Sequence, residues 1–474
     1  MPEIDWPWLL AQAKGVFEAN RVEEVRKWNR ATERCLYHAP FLDPPIHYPR
    51  QLPKWLHRWW RLWWQLRLPW QVIYPHQWLW DSCAHAITLS LIDPELAQHE
   101  ILSLLYAQQP DGFIPHVITN PRQMHWVDRY LFCWLRPSPH ISPYLQPPNI
   151  ARAVEVIHNR SGDVSFLHGV LPRLRDFYLY LDRVRHRDGR GLVEIIISYE
   201  SGKDRSREYD AAYGASAAKP ILCGPMLRLM VWHRFLDWDM GRICGRNLFR
   251  VKDLLFNCVY AWNLAALSRL FDVVGSSGDA RLFQEMAQRT EGAILSQMYD
   301  PASGLFYSLD ARYGQDKPLK VATVSTFLPL LLDRIERGVV ERLVEEHLTD
   351  PGSFWPAYPV PAEPTPLPPQ ERGRRHLIWR GRQTWVYSNW FIVEGLRKQA
   401  GRFPDYGPRL RRIADEITLK TYQLVRKEGF CEYFDSDSGE GSSAKNFGWS
   451  TLVLDMVYSS PIYKPTLIEG SQIS

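Results

Sequence analysis

Apolar residues along this chain recur mostly with a helical period, and the periodic segments come in pairs divided by short turns. Residues 82–92 and 94–108 form one pair, broken at Asp93-Pro94, where proline suits the first turn of the second helix. Over 164–187, Leu167, Leu171, Leu174, Tyr178, Leu181 and Val184 fall on one stripe that begins after Asp163 and stops near Gly189. The same period predicts helices at about 248–274, 280–298, 323–346, 384–400, 408–427 and 447–458. Period-two alternation is scarce, so strands are expected to be short and confined to loops, with 193–198 the best candidate.

A chain built from helical hairpins closes either into a superhelical solenoid or into a toroid. No sequence repeat with a solenoid period is evident, which favours the toroid, whose loops converge on one pocket. A length of 474 residues would ordinarily divide into about three domains, yet no Gly/Ser-rich or charge-rich linker interrupts it, so a single domain over 1–474 is expected. One segment stands apart: 350–370 carries prolines at 351, 356, 359, 361, 364, 366, 368 and 369. It cannot be helix and is expected to wrap the surface as an extended loop.

Composition narrows the class further. Apolar residues at 45% and charged residues at 23% describe an ordinary globular protein. The excess of 57 Lys and Arg over 52 Asp and Glu argues weakly for an anionic substrate, and no basic run is long enough for nucleic acid. Cysteines at 35, 83, 133, 223, 244, 258 and 431 are odd in number and form no Cys-x-x-Cys, so neither zinc nor a disulfide framework is expected. The N-terminus shows no secretory pattern and the apolar runs are too short to span a bilayer, so a cytoplasmic location is expected. Tryptophan is the unusual residue: of 21, eight fall at 55, 59, 60, 63, 64, 70, 78 and 80.

Within that region the chain reads Tyr74-Pro-His-Gln-Trp-Leu-Trp-Asp-Ser82. Trp78 and Trp80 offer flat faces for the axial hydrogens of a pyranose, and Asp81 can accept hydrogen bonds from adjacent hydroxyls. The alternative is that Asp81 only caps a helix starting at Ser82 and the tryptophans are core. Glycoside hydrolysis needs one protonated and one ionised carboxyl group. Two loop segments offer them: Glu200-Ser-Gly-Lys-Asp204, where Gly202 permits a tight turn, and Glu432-Tyr-Phe-Asp435 with Asp437 and Glu440. Asp204 is otherwise a solvated turn residue, Glu432 an edge-strand residue, and the acidic cluster a calcium-like loop that lacks EF-hand order.

Taken in order, Gln77-Trp-Leu-Trp-Asp-Ser82, Pro110-Asp-Gly-Phe-Ile-Pro-His116, Gln146-Pro-Pro148, Glu200-Ser-Gly-Lys-Asp204, Trp379-Arg-Gly381 and Glu432-Tyr-Phe-Asp435 with Gly439-Glu-Gly441 resemble glycoside hydrolase family 63. The bacterial-type mannosylglycerate and glucosylglycerate hydrolases are the members most resembled, over about residues 70–460. The resemblance implies an all-α (α/α)6 barrel with short strands in the loops at the active-site face. It also implies inverting hydrolysis of a small α-glucoside or α-mannoside, with no cofactor and no metal. Asp204 maps to the general acid and Glu432 to the general base. Trp80 and Asp81 would hold the sugar, Gln146 would bond a ring hydroxyl and Trp385 would wall the pocket. Tyr74, Gln77, Trp78, Glu200, Arg205, Trp379, Arg380 and Gly381 complete the expected substrate-binding set. Trp385 and Trp390 have interhelical packing as the other reading, and His85 and His116 are expected to be buried structural residues. Asp204 should be protonated at rest, its pKa raised by apolar walls or by a neighbouring charge such as Glu200. Inversion calls for carboxyl groups roughly 6.5–9.5 Å apart.

The chain departs from the family pattern at Arg205, Arg207 and Arg382, where Asn or Pro is usual. These guanidinium groups would bind an anionic aglycone, lie on the surface, or mark drifted activity. The tryptophan-rich stretch at about 51–70 is read as a lid or a homo-oligomer contact in preference to a helix on a membrane surface. Two other classes compete: another six-hairpin enzyme, such as a sugar epimerase, lyase, trehalase or debranching α-glucosidase, and a carbohydrate-binding protein without catalysis.

Overall fold

Six helical segments close a ring in the computed structural model, which describes residues 4–28, 31–40, 76–119, 140–214, 223–312, 314–367 and 379–463. Leu79–Leu89 packs against Ile150–Ser161, which packs against Leu254–Val273. The ring continues through Val324–Leu331 to Val386–Arg402, then to Gly448–Leu452 with Val453–Tyr458, and returns to Leu79–Leu89. Outer helices complete the hairpins: Pro94–Leu105 behind the first, Val164–Arg185 behind the second, Ser277–Gln297 behind the third and Gly407–Glu428 behind the fifth. This is the (α/α)6 barrel.

Burial explains why the inner segments are so apolar. All eleven residues of Leu79–Leu89 are buried, and Leu254–Val273, long and apolar enough to cross a membrane, lies in the middle of the protein. Asp253 starts that helix by accepting from the Phe256 N–H at 2.7 Å, so its first turn is capped inside the core. At the outer hairpin, Asp93 caps Pro94–Leu105 by accepting from Glu95 and Leu96.

Several sequence expectations change. The 323–346 helix is a 3-10 segment, Val324–Leu331, followed by the short helix Arg337–Arg342 and a wider turn at Leu343–Leu348. Pro329 inside the apolar run lacks the N–H that a continuous α-helix requires. The 193–198 strand reduces to one bridge, Ile195 to Val251, before the 3-10 turn Ser198–Ser201. The expectation of short strands misses an antiparallel hairpin of two eight-residue strands, Arg21–Trp28 and Ala31–His38. The proline-rich segment is not helical, but its centre is no surface wrap. Pro359, Val360, Pro361, Ala362 and Glu363 are buried, held because Val360 donates to Asn389 Oδ1 at 3.0 Å and Ala362 to the Gln383 carbonyl at 2.8 Å. The tryptophan-rich stretch at 51–70 and Tyr74 lie outside the described residues.

Candidate active site

Four loops at one end of the ring bring together the residues that the sequence distributes over more than 350 positions. The first carries the helix Leu79–Leu89, whose start is fixed by a bridge between Gln77–Trp78 and Val117–Ile118. Gln146 extends from the next loop, its Oε1 accepting from the Trp80 N–H at 2.9 Å. The Trp80 ring lies on Tyr387 at 4.2 Å, and the Tyr387 hydroxyl donates to the Trp80 carbonyl at 3.1 Å. Asp81 therefore sits inside the first turn, not at the N-cap, and only 4% of it is exposed. Burial pushes its pKa well above the carboxylate range, and the charge of Glu432 pushes it further.

The acid-bearing turn is held from below. Glu200 is fully buried and engages Arg185 at 2.6 and 2.8 Å, while accepting from the Leu145 and Ile196 N–H groups at 3.0 and 2.8 Å. Gly202 turns the chain at φ +73°. Lys203 then plunges into the core, its Nζ donating to Glu208 and Ser325, both at 2.6 Å, with Asp253 at 3.3 Å. The turn is pinned further where Ser198 Oγ donates to the Asp204 carbonyl at 2.7 Å. Asp204 itself is left partly open to solvent. Its surroundings push its pKa up to about 7 through desolvation, against the opposing pull of Arg205.

Glu432 precedes the middle strand Tyr433–Asp435 of a three-stranded sheet, flanked by Gln383–Thr384 and Gly441–Ser442. Its N–H donates to the Ala444 carbonyl at 2.9 Å, and Trp449 Nε1 donates to its carbonyl at 3.0 Å, so the backbone is fixed on both sides. Burial raises the carboxyl pKa to about 7; the Ser443 hydroxyl and the Ala444 N–H hydrogen-bond the ionised form, and the charge of Asp204 raises the value further. Asp81, Asp204 and Glu432 thus feel one another across a shared space. Trp379 and Trp385 form one wall, stacked at 3.9 Å with 5° between the rings, and Trp385 leans on Tyr433 at 4.6 Å and on Trp449 at 5.7 Å.

Among the described residues, four buried polar atoms around this space have no hydrogen-bond partner: Trp80 Nε1, Asp81 Oδ1, Trp385 Nε1 and Glu432 Oε2. Buried polar atoms are nearly always satisfied, so two donors and two carboxyl oxygens left open between aromatic faces suit a polyhydroxylated ligand. Among the described residues no group of three or more His, Cys, Asp or Glu is placed to hold a metal.

Other expected site residues make structural contacts. Gln77 is fully buried, its Nε2 shared between Ser82 and Ser103. Glu200 has both oxygens committed to Arg185 and the backbone, so it supplies no surplus charge to Asp204. Arg380 makes a two-pronged ion pair with buried Asp210 at 2.6 and 3.1 Å, and the Gly381 carbonyl accepts from Glu363 N–H at 3.0 Å. Gln146 spends its amide oxygen on the helix start. Trp78 is half-buried with its ring against His116 at 5.5 Å, and His116 is hydrogen-bonded to Ser142. His85 is buried beside Glu100 at 3.7 Å. Trp390 is a packing residue that donates to Asp455 at 2.6 Å.

The unusual arginines divide. Arg207 pairs with buried Glu363 at 3.1 Å and Arg382 pairs with exposed Asp437 at 2.6 Å, whereas Arg205 stands beside the Asp204 carboxyl and near Tyr433. Sequence reasoning missed Tyr387, Tyr433, Ser443 and the core anchoring of Lys203. A lysine between a glycine and an acid was the one visible hint of that last feature.

A family model described as the mannosylglycerate hydrolase MGH1-like glycoside hydrolase domain matches residues 74–450. The chain is 28% identical over 432 residues to the mannosylglycerate hydrolase of Thermus thermophilus, a match covering 81% of this chain and 95% of that protein. It is 25% identical over 428 residues to the glucosylglycerate hydrolase of Mycolicibacterium hassiacum, covering 81% and 92%. The crystal structure of the Thermus thermophilus family 63 mannosylglycerate hydrolase in complex with Tris and D-glycerate shares the fold, with a TM-score of 0.72 at 24% identity over 94% of this chain and 99% of that one.

Proposed function

This chain belongs to the mannosylglycerate hydrolase MGH1-like glycoside hydrolase family, and we propose that within it the protein is an inverting hydrolase of small α-mannosides or α-glucosides, led by mannosylglycerate and glucosylglycerate. The observation that carries this reading is the pair of loop carboxyls, Asp204 and Glu432, each with its pKa raised to about 7 in one space beside Asp81 Oδ1 and two indole Nε1 atoms that have no hydrogen-bond partner among the described residues. Two such groups titrate as a pair, and near neutral pH the pair holds about one proton. Glu432 accepts two hydrogen bonds that favour its charged form, Arg205 favours that of Asp204, and we assign the shared proton to Asp204 as the acid.

In the reaction, Asp204 donates that proton to the glycosidic oxygen as the bond to the anomeric carbon breaks. Glu432 takes a proton from a water that attacks the same carbon from the opposite face, which inverts the configuration. Atoms balance with water as the only co-substrate. Asp81 accepts from sugar hydroxyls, and Trp80 and Trp385 donate from their indole N–H groups. Arg205 meets the carboxylate of the leaving glycerate. That contact also relieves Asp204 of the cation that favours its ionised form, so an anionic aglycone helps keep the acid protonated.

The test is hydrolysis of α-mannosylglycerate, α-glucosylglycerate and the methyl α-glycosides of the same sugars by wild type and Arg205→Asn. The expected result is a preference for the glycerates that falls by about 10- to 100-fold in kcat/KM in the variant, the worth of one charge-assisted hydrogen bond. Equal cleavage of charged and uncharged glycosides by the wild type would overturn the aglycone assignment.

A further inference from the structure

Ser443 has a backbone φ of +64°, in the left-handed region where a side chain is strained and glycine is favoured. It lies just past Gly441–Ser442, the strand that pairs with the Glu432-bearing strand through Tyr433 to Ser442 and Phe434 to Gly441. At this point the chain doubles back over Glu432. The Ser443 hydroxyl and the next N–H, that of Ala444, both reach the Glu432 carboxylate, while the Ala444 carbonyl accepts from the Glu432 N–H at 2.9 Å. The other carboxylate oxygen, Oε2, is buried and has no hydrogen-bond partner among the described residues. A non-glycine residue persists in this conformation where something over-determines it, and strained residues of this kind cluster at functional sites.

We propose that Ser443 is a positioning residue for the general base: its hydroxyl holds one carboxylate oxygen of Glu432 and so turns the other toward the attacking water. This rests on the reading of Glu432 as the base. Ser443 touches the substrate nowhere in this scheme. It acts on the ionisation and orientation of Glu432, and its backbone strain is the cost of placing a hydroxyl where glycine would sit more easily.

Two substitutions separate this role from a turn-forming one. Ser443→Ala keeps the strained Cβ and loses the donor, whereas Ser443→Gly loses both. Each should lower kcat, leave KM nearly unchanged, and move the acidic limb of the kcat/KM profile upward by about one pH unit, because a hydrogen bond to the ionised carboxylate is lost. At a pH on that limb the loss is about tenfold. Ser443→Gly should nevertheless melt at the wild-type temperature or higher, because its strain is gone. Lower activity in a protein of equal or greater stability is the signature of positioning; a turn role would give the reverse. Glu432→Gln is measured alongside. An inert Glu432→Gln together with a Ser443→Gly profile identical to wild type would overturn this inference alone. An active Glu432→Gln would overturn both the base assignment and the role given to Ser443.

Discussion

Lys203 is one of the largest fully buried side chains in the protein, and it directly precedes the proposed acid. Replacing it with methionine keeps most of the volume and removes the ammonium that Glu208, Ser325 and Asp253 surround at 2.6, 2.6 and 3.3 Å. Burial alone would lower the Lys203 pKa, yet Asp253 and Glu208 outweigh it and the value is raised. A cation with a raised pKa contributes its stability in full below the unfolded value and loses it only as pH rises through the folded one, so the ion cluster is intact throughout the neutral range. Glu208 and Asp253 are 3% and 0% exposed, and in Lys203→Met both would be left without their cation. Breaking a buried pair from one side costs about 3–5 kcal/mol. Because Asp253 also caps the central helix and accepts from Tyr209 at 2.6 Å, the loss should fall toward the upper part of that range. Urea unfolding followed by far-UV circular dichroism reads it as a lower midpoint at unchanged slope. A change below about 1 kcal/mol would refute this reading of the cluster.

The pH dependence of kcat/KM should be a narrow bell centred near neutrality. It falls on the acid side as Glu432 takes up a proton and on the alkaline side as Asp204 loses one, both titrating at about 7; a plateau from pH 5 to 9 would contradict the assignment. The same raised values predict a trade of stability against function. An acid whose folded pKa lies above its unfolded one weakens folding increasingly as pH rises from about 4 toward 7, so Asp204→Asn and Glu432→Gln should each melt above wild type at pH 8, with the gap closing near pH 4. Differential scanning calorimetry at the two pH values measures this, and amide variants that melt lower at pH 8 would count against it.

Leu254–Val273 was legible because its place in the inner ring makes it apolar on nearly every side. Ile150–Ser161 was not, because its twelve residues mix Arg152, Glu155, His158 and Arg160 among short apolar positions. The hairpin from Arg21 hid behind adjacent Glu23 and Glu24, which break the alternation of a strand. Val324–Leu331 read as helix because its apolar run is continuous, although Pro329 decides otherwise. The motif order located both carboxyls of the candidate site, but a motif does not reveal which neighbours are neutralised. Glu200 looked like a charge beside Asp204 because its partner Arg185 stands fifteen residues earlier. Arg380 looked available because Asp210 lies 170 positions away. Ser443 had no sequence signal, since its φ is imposed by the sheet that folds back over Glu432.

Asp204 and Glu432, acting as acid and base on opposite faces of an α-linked sugar, should leave a stereochemical signature. Proton NMR of the first turnovers of α-mannosylglycerate and α-glucosylglycerate, with wild type and Asp204→Asn, reads it. The β-anomer of the free sugar should appear ahead of mutarotation, at a rate lower by about 10²–10⁴ in the variant. Initial release of the α-anomer, or an Asp204→Asn enzyme as fast as wild type, would contradict these roles.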